Sequence, residues 1–150
     1  MAKSWTQHFM DIARLTAEKS HDPSTKVGAV FVDYENTQLA SGYNGLPRGV
    51  QYIPERLERP LKYKYFEHAE RNAMYNAVRT GTSLRDSVLY VTAFPCTDCA
   101  RGIIQSGTVL VKYLANPELE ARWAEDMEIA RQMLHEARVG IQVLYEDSIP

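Results

Sequence analysis

The segment SVLYVTAFPCTDCARGIIQSG, residues 87–107, decides the fold because it joins a strand directly to a helix. The apolar run SVLYVTAF predicts a buried β-strand, and Pro95 is typical of the first turn of a helix. That helix is predicted to run to Gln105 and to end near Gly107. A second apolar run, TVLVKYLA (residues 108–115), predicts another strand. A strand, a helix and a strand in this order indicate a parallel β-α-β unit.

Patterns on either side of this unit extend the sheet and cover it with helices. Upstream, an amphipathic pattern predicts a helix over 4–20 with Ser4 as its N-cap, and the runs KVGAVFVD and QLASGYN predict a hairpin. Residues 68–80 are predicted to form a helix that Gly81 ends. Downstream, one long helix over 117–138 and a last strand, IQVLYE, are predicted. We therefore expect one domain over residues 1–150, a three-layer α/β/α fold with a mixed five-stranded sheet.

The composition argues against several classes of function. The chain has 150 residues and a formal net charge of −2, so it carries no basic field that would attract nucleic acid or an anionic membrane. No apolar run is long enough to span a membrane, and the first residues lack the apolar core of a signal peptide. Two closely spaced cysteines make a poor disulfide framework, so we expect a cytoplasmic protein with free thiols.

The two cysteines, together with a histidine upstream, predict a zinc site. Cys96 and Cys99 are spaced i, i+3 at a helix N-terminus, which places both sulfurs on one face and favours the thiolate form. His68 begins the preceding helix, and neighbouring helices of a β-α-β fold begin at the same end of the sheet. Three protein ligands leave the fourth position of a catalytic zinc open for water. Glu70, two residues after His68, is predicted to exchange protons with that water and with the leaving amine.

Each half of this pattern also has a simpler explanation. Cys-x-x-Cys in a cytosolic α/β protein can be a redox pair, and a structural zinc is a further alternative, although it requires four protein ligands. His68 alone can be a core histidine, and Glu70 alone can be an acid that stabilises a helix N-terminus. The presence of both halves, each at the start of a predicted helix, favours the catalytic zinc.

The same residues resemble a known signature. His68-Ala69-Glu70 and Pro95-Cys96-Thr97-Asp98-Cys99 match H-x-E…P-C-x-x-C, the signature of the zinc nucleobase deaminases. The order of predicted elements also resembles the cytidine deaminase-like fold. This resemblance implies a hydrolytic deaminase that uses Zn²⁺ as its cofactor.

Segments outside the signature indicate which subfamily of deaminases the chain resembles most. KVGAVFVD, SGYNGLPRG, HAERNAMYNAVRTG and LYVTAFPCTDCARGIIQSG are similar to the deoxycytidylate (dCMP) deaminases, and GYNG is the most specific of their parts. The resemblance implies deamination of dCMP to dUMP and ammonia, a step toward thymidylate. It also implies regulation by dCTP as activator and dTTP as inhibitor, with Mg²⁺ accompanying the triphosphate, and a homo-oligomer, with a hexamer favoured. The alternatives are another deaminase of the same fold, acting on a different cytosine nucleoside or nucleotide or on a free base, and a non-catalytic zinc scaffold.

The resemblance further implies contacts with the substrate and the effectors. The substrate contacts would be Asn44, to the deoxyribose, together with Tyr43, Ala69 and Arg79. The effector or phosphate contacts would be Lys26, Gly42, Gly45, Arg48 and Arg71. Which arginine or lysine holds the substrate phosphate stays open, because each of these cations can equally be a solvated surface charge.

Two segments depart from the family. Residues 45–66 contain three prolines and no clear period, which indicates a functional loop, and residues 45–67 lack the Cys and His ligands of a second, structural zinc. We therefore expect one zinc ion per chain. The predicted helix over 117–138 is longer than the family's tail. Its apolar stripe is predicted to be core or subunit contact rather than substrate site; the stripe comprises Trp123, Met127, Ala130 and Leu134.

Overall fold

A mixed sheet of five strands forms the centre of the computed structural model, which describes residues 1–150. The strands are β1 (Gly28–Val32), β2 (Gln38–Tyr43), β3 (Val88–Val91), β4 (Leu110–Leu114) and β5 (Gly140–Leu144). Their order across the sheet is β2-β1-β3-β4-β5. β1 is antiparallel to both β2 and β3, whereas β3, β4 and β5 are parallel. The predicted mixed five-stranded sheet is confirmed.

Six α-helices surround this sheet. They are α1 (Trp5–Ala17), α2 (Lys62–Tyr65), α3 (Ala69–Thr80), α4 (Thr97–Gln105), α5 (Pro117–Arg122) and α6 (Ala124–Glu136). Ser4 caps α1 as predicted, because its Oγ accepts a hydrogen bond from the Gln7 N–H at 3.1 Å. None of the helices combines the length and the apolar character that crossing a membrane requires.

Successive side chains of β1 point to opposite faces of the sheet, and a hydrophobic core lies on each face. Ala29 and Phe31 belong to the larger core, which α3, α4 and α6 cover. Val30 and Val32 belong to the smaller core, which α1 covers. All five residues of β1 are buried, which explains why its sequence is an uninterrupted apolar run. The predicted α/β/α layering is therefore confirmed.

The prediction of one continuous helix over 117–138 is wrong, because the structure has two helices there. The chain leaves the helical conformation at Trp123, where φ is −114° and ψ is 24°, and a new helix starts at Ala124. The apolar stripe that suggested continuity belongs mostly to α6, since Met127, Ala130 and Leu134 are buried in the larger core. Trp123 instead remains 43% exposed and packs edge-on against Tyr63, with ring centroids 6.2 Å apart.

The structure differs from the prediction in two other places, inside the segment over 45–66 and at the start of α4. The segment over 45–66 is not irregular throughout, because it contains a 3₁₀ turn at Pro54–Leu57 and the short helix α2. The helix predicted to start at Pro95 begins at Thr97, and Cys96 is its N-cap. This shift places Cys96 at the junction between β3 and α4.

Candidate active site

Two helix N-termini bring the predicted metal ligands together. His68 is the N-cap of α3 and Cys96 is the N-cap of α4, so the two side chains lie at neighbouring helix starts. The His68 Nδ1 atom lies 3.3 Å from the Cys96 Sγ and 3.5 Å from the Cys99 Sγ. The three ligand atoms all lie within 4.8 Å of one another, and no other set of His, Cys, Asp and Glu side chains forms such a cluster.

The spacing of these atoms fits a tetrahedral zinc ion. With Zn–S bonds of about 2.3 Å and a Zn–N bond of about 2.0 Å, a tetrahedral site requires N···S separations of about 3.5 Å. The observed separations of 3.3 Å and 3.5 Å match this requirement. Two thiolates and one imidazole are also the donors that zinc prefers, and three protein ligands leave one coordination position open.

The charges of the cluster favour metal binding. Hydrogen bonds from Cys99 and His68 outweigh burial and lower the pKa of Cys96 to about 4. The hydrogen bond with Cys96 raises the pKa of His68 to about 9. The hydrogen bond with Cys96 and burial both raise the pKa of Cys99 above its usual value. The lowered pKa of Cys96 favours the thiolate that zinc requires, and a zinc ion held here would displace the protons that His68 and Cys99 retain.

Glu70 occupies the second position of α3 and points into the same site. Its side chain is only 4% exposed, and it lines a cavity together with His68 and Cys96. Burial raises the pKa of the Glu70 carboxyl, although the positive charge of His68 opposes this rise. A raised pKa brings a carboxyl closer to the range in which general acid–base catalysts exchange protons.

This space, called here the Glu70 cavity, has a volume of about 380 Å³. That volume lies within the range of small-molecule sites in proteins. Its walls come from five parts of the chain: the loop before β1, the end of β2, the segment over 59–71, the β3–α4 junction and the stretch from α5 to the start of α6. The cluster of ligands therefore lies in a cavity rather than on a flat surface.

The chain matches the family model described as the cytidine and deoxycytidylate deaminase zinc-binding region over residues 3–115. The match includes His68, Glu70, Cys96 and Cys99 and covers both helix N-termini that form the site. The chain belongs to this family. Membership confirms the prediction of a zinc-dependent deaminase domain with the cytidine deaminase-like fold.

Individual members of the family are similar along most of the chain. A deaminase encoded in the luxG 3′ region of Aliivibrio fischeri is 37% identical over 142 residues, which cover 94% of each chain. The human deoxycytidylate deaminase is 40% identical over 118 residues, which cover 75% of this chain and 65% of the human protein. The chain thus spans slightly less than two thirds of that relative. A crystal structure of the dCMP deaminase from cyanophage S-TIM5, in complex with dCMP and dUMP, superposes with a TM-score of 0.77 at 26% identity. It covers 96% of this chain and 99% of that one.

Asn44 lies in the Glu70 cavity, but its amide already has partners. Its Oδ1 accepts a hydrogen bond from the Val27 N–H at 2.8 Å, and its Nδ2 donates to the Thr25 carbonyl at 2.8 Å. Nδ2 also donates to Asp22 Oδ2 at 3.3 Å. Both amide donors are therefore used, and one lone pair of Oδ1 is left for the predicted bond to a deoxyribose.

The other residues suggested by the resemblance fall into three groups. Ala69 and Arg71 line the Glu70 cavity, as Asn44 does. Tyr43 does not, because it lines a second cavity of about 590 Å³ together with Gly42 and Arg48. Residues that line neither cavity are Lys26, Gly45 and Arg79. The structure therefore separates the proposed substrate contacts of Tyr43 and Arg79 from the zinc ligands of the same chain.

Several residues of the Glu70 cavity carry no signal in the sequence. Asp22 and Lys62 form a buried ion pair, with Nζ 3.0 Å and 3.1 Å from the two carboxylate oxygens. Asp126 accepts hydrogen bonds from the Thr97 N–H at 3.0 Å and the Thr97 hydroxyl at 2.8 Å, and so caps α4 from α6. These contacts join residues far apart in sequence, so no local spacing reveals them. Besides His68 and Asp98, the exposed lining residues are Arg59, Tyr63, Arg122 and Trp123, and the side of the cavity formed by these four is called its mouth here.

Proposed function

We propose that the chain catalyses the hydrolysis of dCMP to dUMP and ammonia. The observation that carries this proposal is the buried carboxyl of Glu70 in one cavity with the cluster of His68, Cys96 and Cys99. The relationship to the cyanophage dCMP deaminase, whose structure contains dCMP and dUMP, supports the choice of substrate. So does the similarity to the human deoxycytidylate deaminase.

The proposed mechanism assigns the proton transfers to Glu70. A zinc ion held by His68, Cys96 and Cys99 would act as a Lewis acid that lowers the pKa of the attacking water. Glu70 accepts a proton from this water and delivers it to N3 of the cytosine ring as the oxygen adds to C4. Glu70 then passes the second proton of the water to the amino group. The C4–N bond breaks, ammonia leaves, and C4 keeps the oxygen as the carbonyl of dUMP.

We further propose that dCTP activates and dTTP inhibits this reaction, with Mg²⁺ bound to the triphosphate. The second cavity supports this assignment, since it is separate from the Glu70 cavity and is lined by Gly42 and Arg48, two of the suggested effector contacts. Its further basic residue, Lys19, adds a positive charge for a polyphosphate. A homo-oligomer, for which a hexamer is favoured, remains part of the proposal. The cytoplasm is the proposed location, because it keeps the thiols of the zinc ligands reduced.

An ammonia-release assay tests the function directly. We expect the zinc-loaded protein to deaminate dCMP faster than CMP, deoxycytidine, cytosine or guanine, and dCTP with Mg²⁺ to raise the rate at low dCMP. A preference for another of these substrates would replace dCMP in the proposal and retain the chemistry. Bound zinc without turnover of any substrate would instead favour a scaffold.

A further inference from the structure

We propose that Arg59 and Arg122 bind the 5′-phosphate of the substrate at the mouth of the Glu70 cavity. This inference rests on the proposed function, because it names the group that distinguishes a nucleotide from a nucleoside at that site. Neither arginine belongs to the substrate or effector contacts that the resemblance suggested.

The first step is to ask which cations of the cavity are available to an anion. Apart from the metal ligand His68, four basic side chains line it: Arg59, Lys62, Arg71 and Arg122. Lys62 is buried and donates to both oxygens of Asp22 and to the Ser24 hydroxyl, so its three donors are used. The Arg71 guanidinium lies 2.5 Å from Glu67 and 3.5 Å from Asp98, which neutralise it.

The two remaining arginines have no close carboxylate. Arg59 forms no ion pair, and its side chain donates only to the Ser24 hydroxyl, at 3.3 Å. The Arg122 guanidinium has its nearest carboxylate, Glu118, at 4.0 Å, and the Glu118 side chain is 89% exposed. Ion pairs between exposed side chains contribute little, so Arg122 gives up almost nothing when it turns to a ligand.

The fold holds these two arginines on adjoining segments. Arg59 lies four residues before Tyr63, and Arg122 directly precedes Trp123. The rings of Tyr63 and Trp123 pack edge-on at a centroid distance of 6.2 Å, so the segment over 59–63 and the break between α5 and α6 meet at the mouth of the cavity. Arg59 and Arg122 both line the cavity and belong to the two segments that this aromatic contact joins.

The distribution of charge favours the phosphate at this end. The reactive end holds the buried Glu70 carboxyl and the three metal ligands, so it offers no free cation to a phosphate. Asp22 pairs with Lys62 and Asp98 with Arg71, whereas Asp126 accepts hydrogen bonds from Thr97 and keeps its negative charge. Among the cations of the cavity, only Arg59 and Arg122 are without a close carboxylate. A guanidinium can also bind two phosphate oxygens in parallel, which an ammonium group cannot do.

The test compares Arg59→Gln, Arg122→Gln and Arg122→Lys with the zinc-loaded wild type. Arg85→Gln is the matched control, because Arg85 is exposed and lies before β3, at the opposite end of that strand from the β3–α4 junction. We expect each Gln variant to raise the KM for dCMP by about tenfold or more while kcat changes little, because a charge-assisted contact to a group remote from C4 is lost. Arg122→Lys should fall between Arg122→Gln and the wild type.

A binding measurement separates the phosphate contact from a structural effect and from turnover. Calorimetry with dUMP and deoxyuridine should show that the Gln variants lose affinity for dUMP only, since deoxyuridine has no phosphate. Unchanged dUMP affinity in both Gln variants, equal losses for both ligands, or a wild type that does not prefer dUMP would each overturn the inference. Absence of ammonia release from dCMP by the wild type would refute the proposed function, whereas the two affinities judge the arginines without any turnover.

Discussion

The ammonium group of Lys62 lies 3.0 Å from one carboxylate oxygen of Asp22 and 3.1 Å from the other, and both side chains are about 5% exposed. The pair joins α2 to the loop before β1 across 40 residues of sequence. Through the Asn44 amide, which bonds to Asp22 and Thr25, it also reaches the end of β2. Three wall segments of the Glu70 cavity therefore depend on one buried ion pair.

Loss of Lys62 should destabilise the protein strongly. Lys62→Met leaves the Asp22 carboxylate buried without its cation, and such removal of one partner costs about 3–5 kcal/mol. The free energy of unfolding, measured by urea denaturation, checks this expectation. Lys64→Met is the control, because Lys64 is exposed on the same helix. Similar stabilities of the two variants would contradict a structural role for the pair.

Acid should destabilise the protein partly through Asp22. Burial raises the pKa of this carboxyl, but hydrogen bonds from Ser24, Lys62 and Thr25 outweigh burial and lower the pKa below its usual value of 3.8. A carboxylate with a lowered pKa in the folded state contributes stability that is present above the unfolded pKa and is lost as pH falls through the folded pKa. We expect the free energy of unfolding to fall more steeply below about pH 4 in the wild type than in Asp22→Asn. Urea titrations at several pH values check this difference, and parallel curves would exclude Asp22 as a source of the acid sensitivity.

Removal of the Glu70 carboxylate should abolish turnover without releasing the metal. Glu70→Gln keeps the shape of the side chain and all three zinc ligands but cannot carry a proton, which lowers kcat by about 10²–10⁴ or more. We expect one zinc ion per chain in this variant by elemental analysis, as in the wild type. Glu35→Gln, at an exposed turn, serves as the control. Substantial activity in Glu70→Gln would remove Glu70 from the proposed proton transfers.

Asp126 should support zinc binding although it is not a ligand. Its carboxylate caps the first turn of α4, which carries Cys99 and follows Cys96. Loss of such a supporting contact lowers metal affinity by about 10–100-fold. We expect this loss in Asp126→Ala, measured by competition with a chelator, and a smaller one in Asp126→Asn, which keeps an oxygen that can accept from the Thr97 N–H. An unchanged affinity in Asp126→Ala would show that α4 holds its first turn without help from α6.

Gly42 should tolerate no side chain, for a reason unrelated to an effector. A Cβ atom at this position would lie 2.4 Å from the Ala73 nitrogen and 2.6 Å from the Ala69 carbonyl oxygen, both backbone atoms of α3. Because α3 carries Glu70, Gly42→Ala should lower both the stability, by about 1–3 kcal/mol, and kcat. At Gly45 the added Cβ would meet only the Tyr43 ring at 3.8 Å, so Gly45→Ala should keep the thermal midpoint of the wild type. Equal thermal midpoints for the two variants would contradict this explanation.

Local sequence signals were sufficient for the sheet and for the reactive groups. The uninterrupted apolar run of β1, the N-cap at Ser4 and the motifs around His68 and Cys96 depend on neighbours a few residues away, and the structure places each of them as expected. The break in the helix at Trp123 could not be predicted, because the apolar stripe continues across it. Trp123 packs against the ring of Tyr63, which is distant in sequence, so no local pattern reveals this contact. The pair of Asp22 and Lys62 was missed for the same reason, since neither residue has a distinctive neighbour.

The positions of His68 and Cys96 at the first residues before α3 and α4 have a consequence for engineering. All the reactive groups are carried by two helix starts, whereas most of the residues that would meet the sugar and phosphate come from the segments over 59–66 and 119–127. The exposed positions of these wall segments, such as Arg59, Tyr63 and Trp123, can be varied in a library, whereas Lys62 and Asp126 have to be kept because they hold Asp22 and the first turn of α4. The exposed part of these walls is therefore the place to seek an altered substrate preference while the reactive groups stay unchanged.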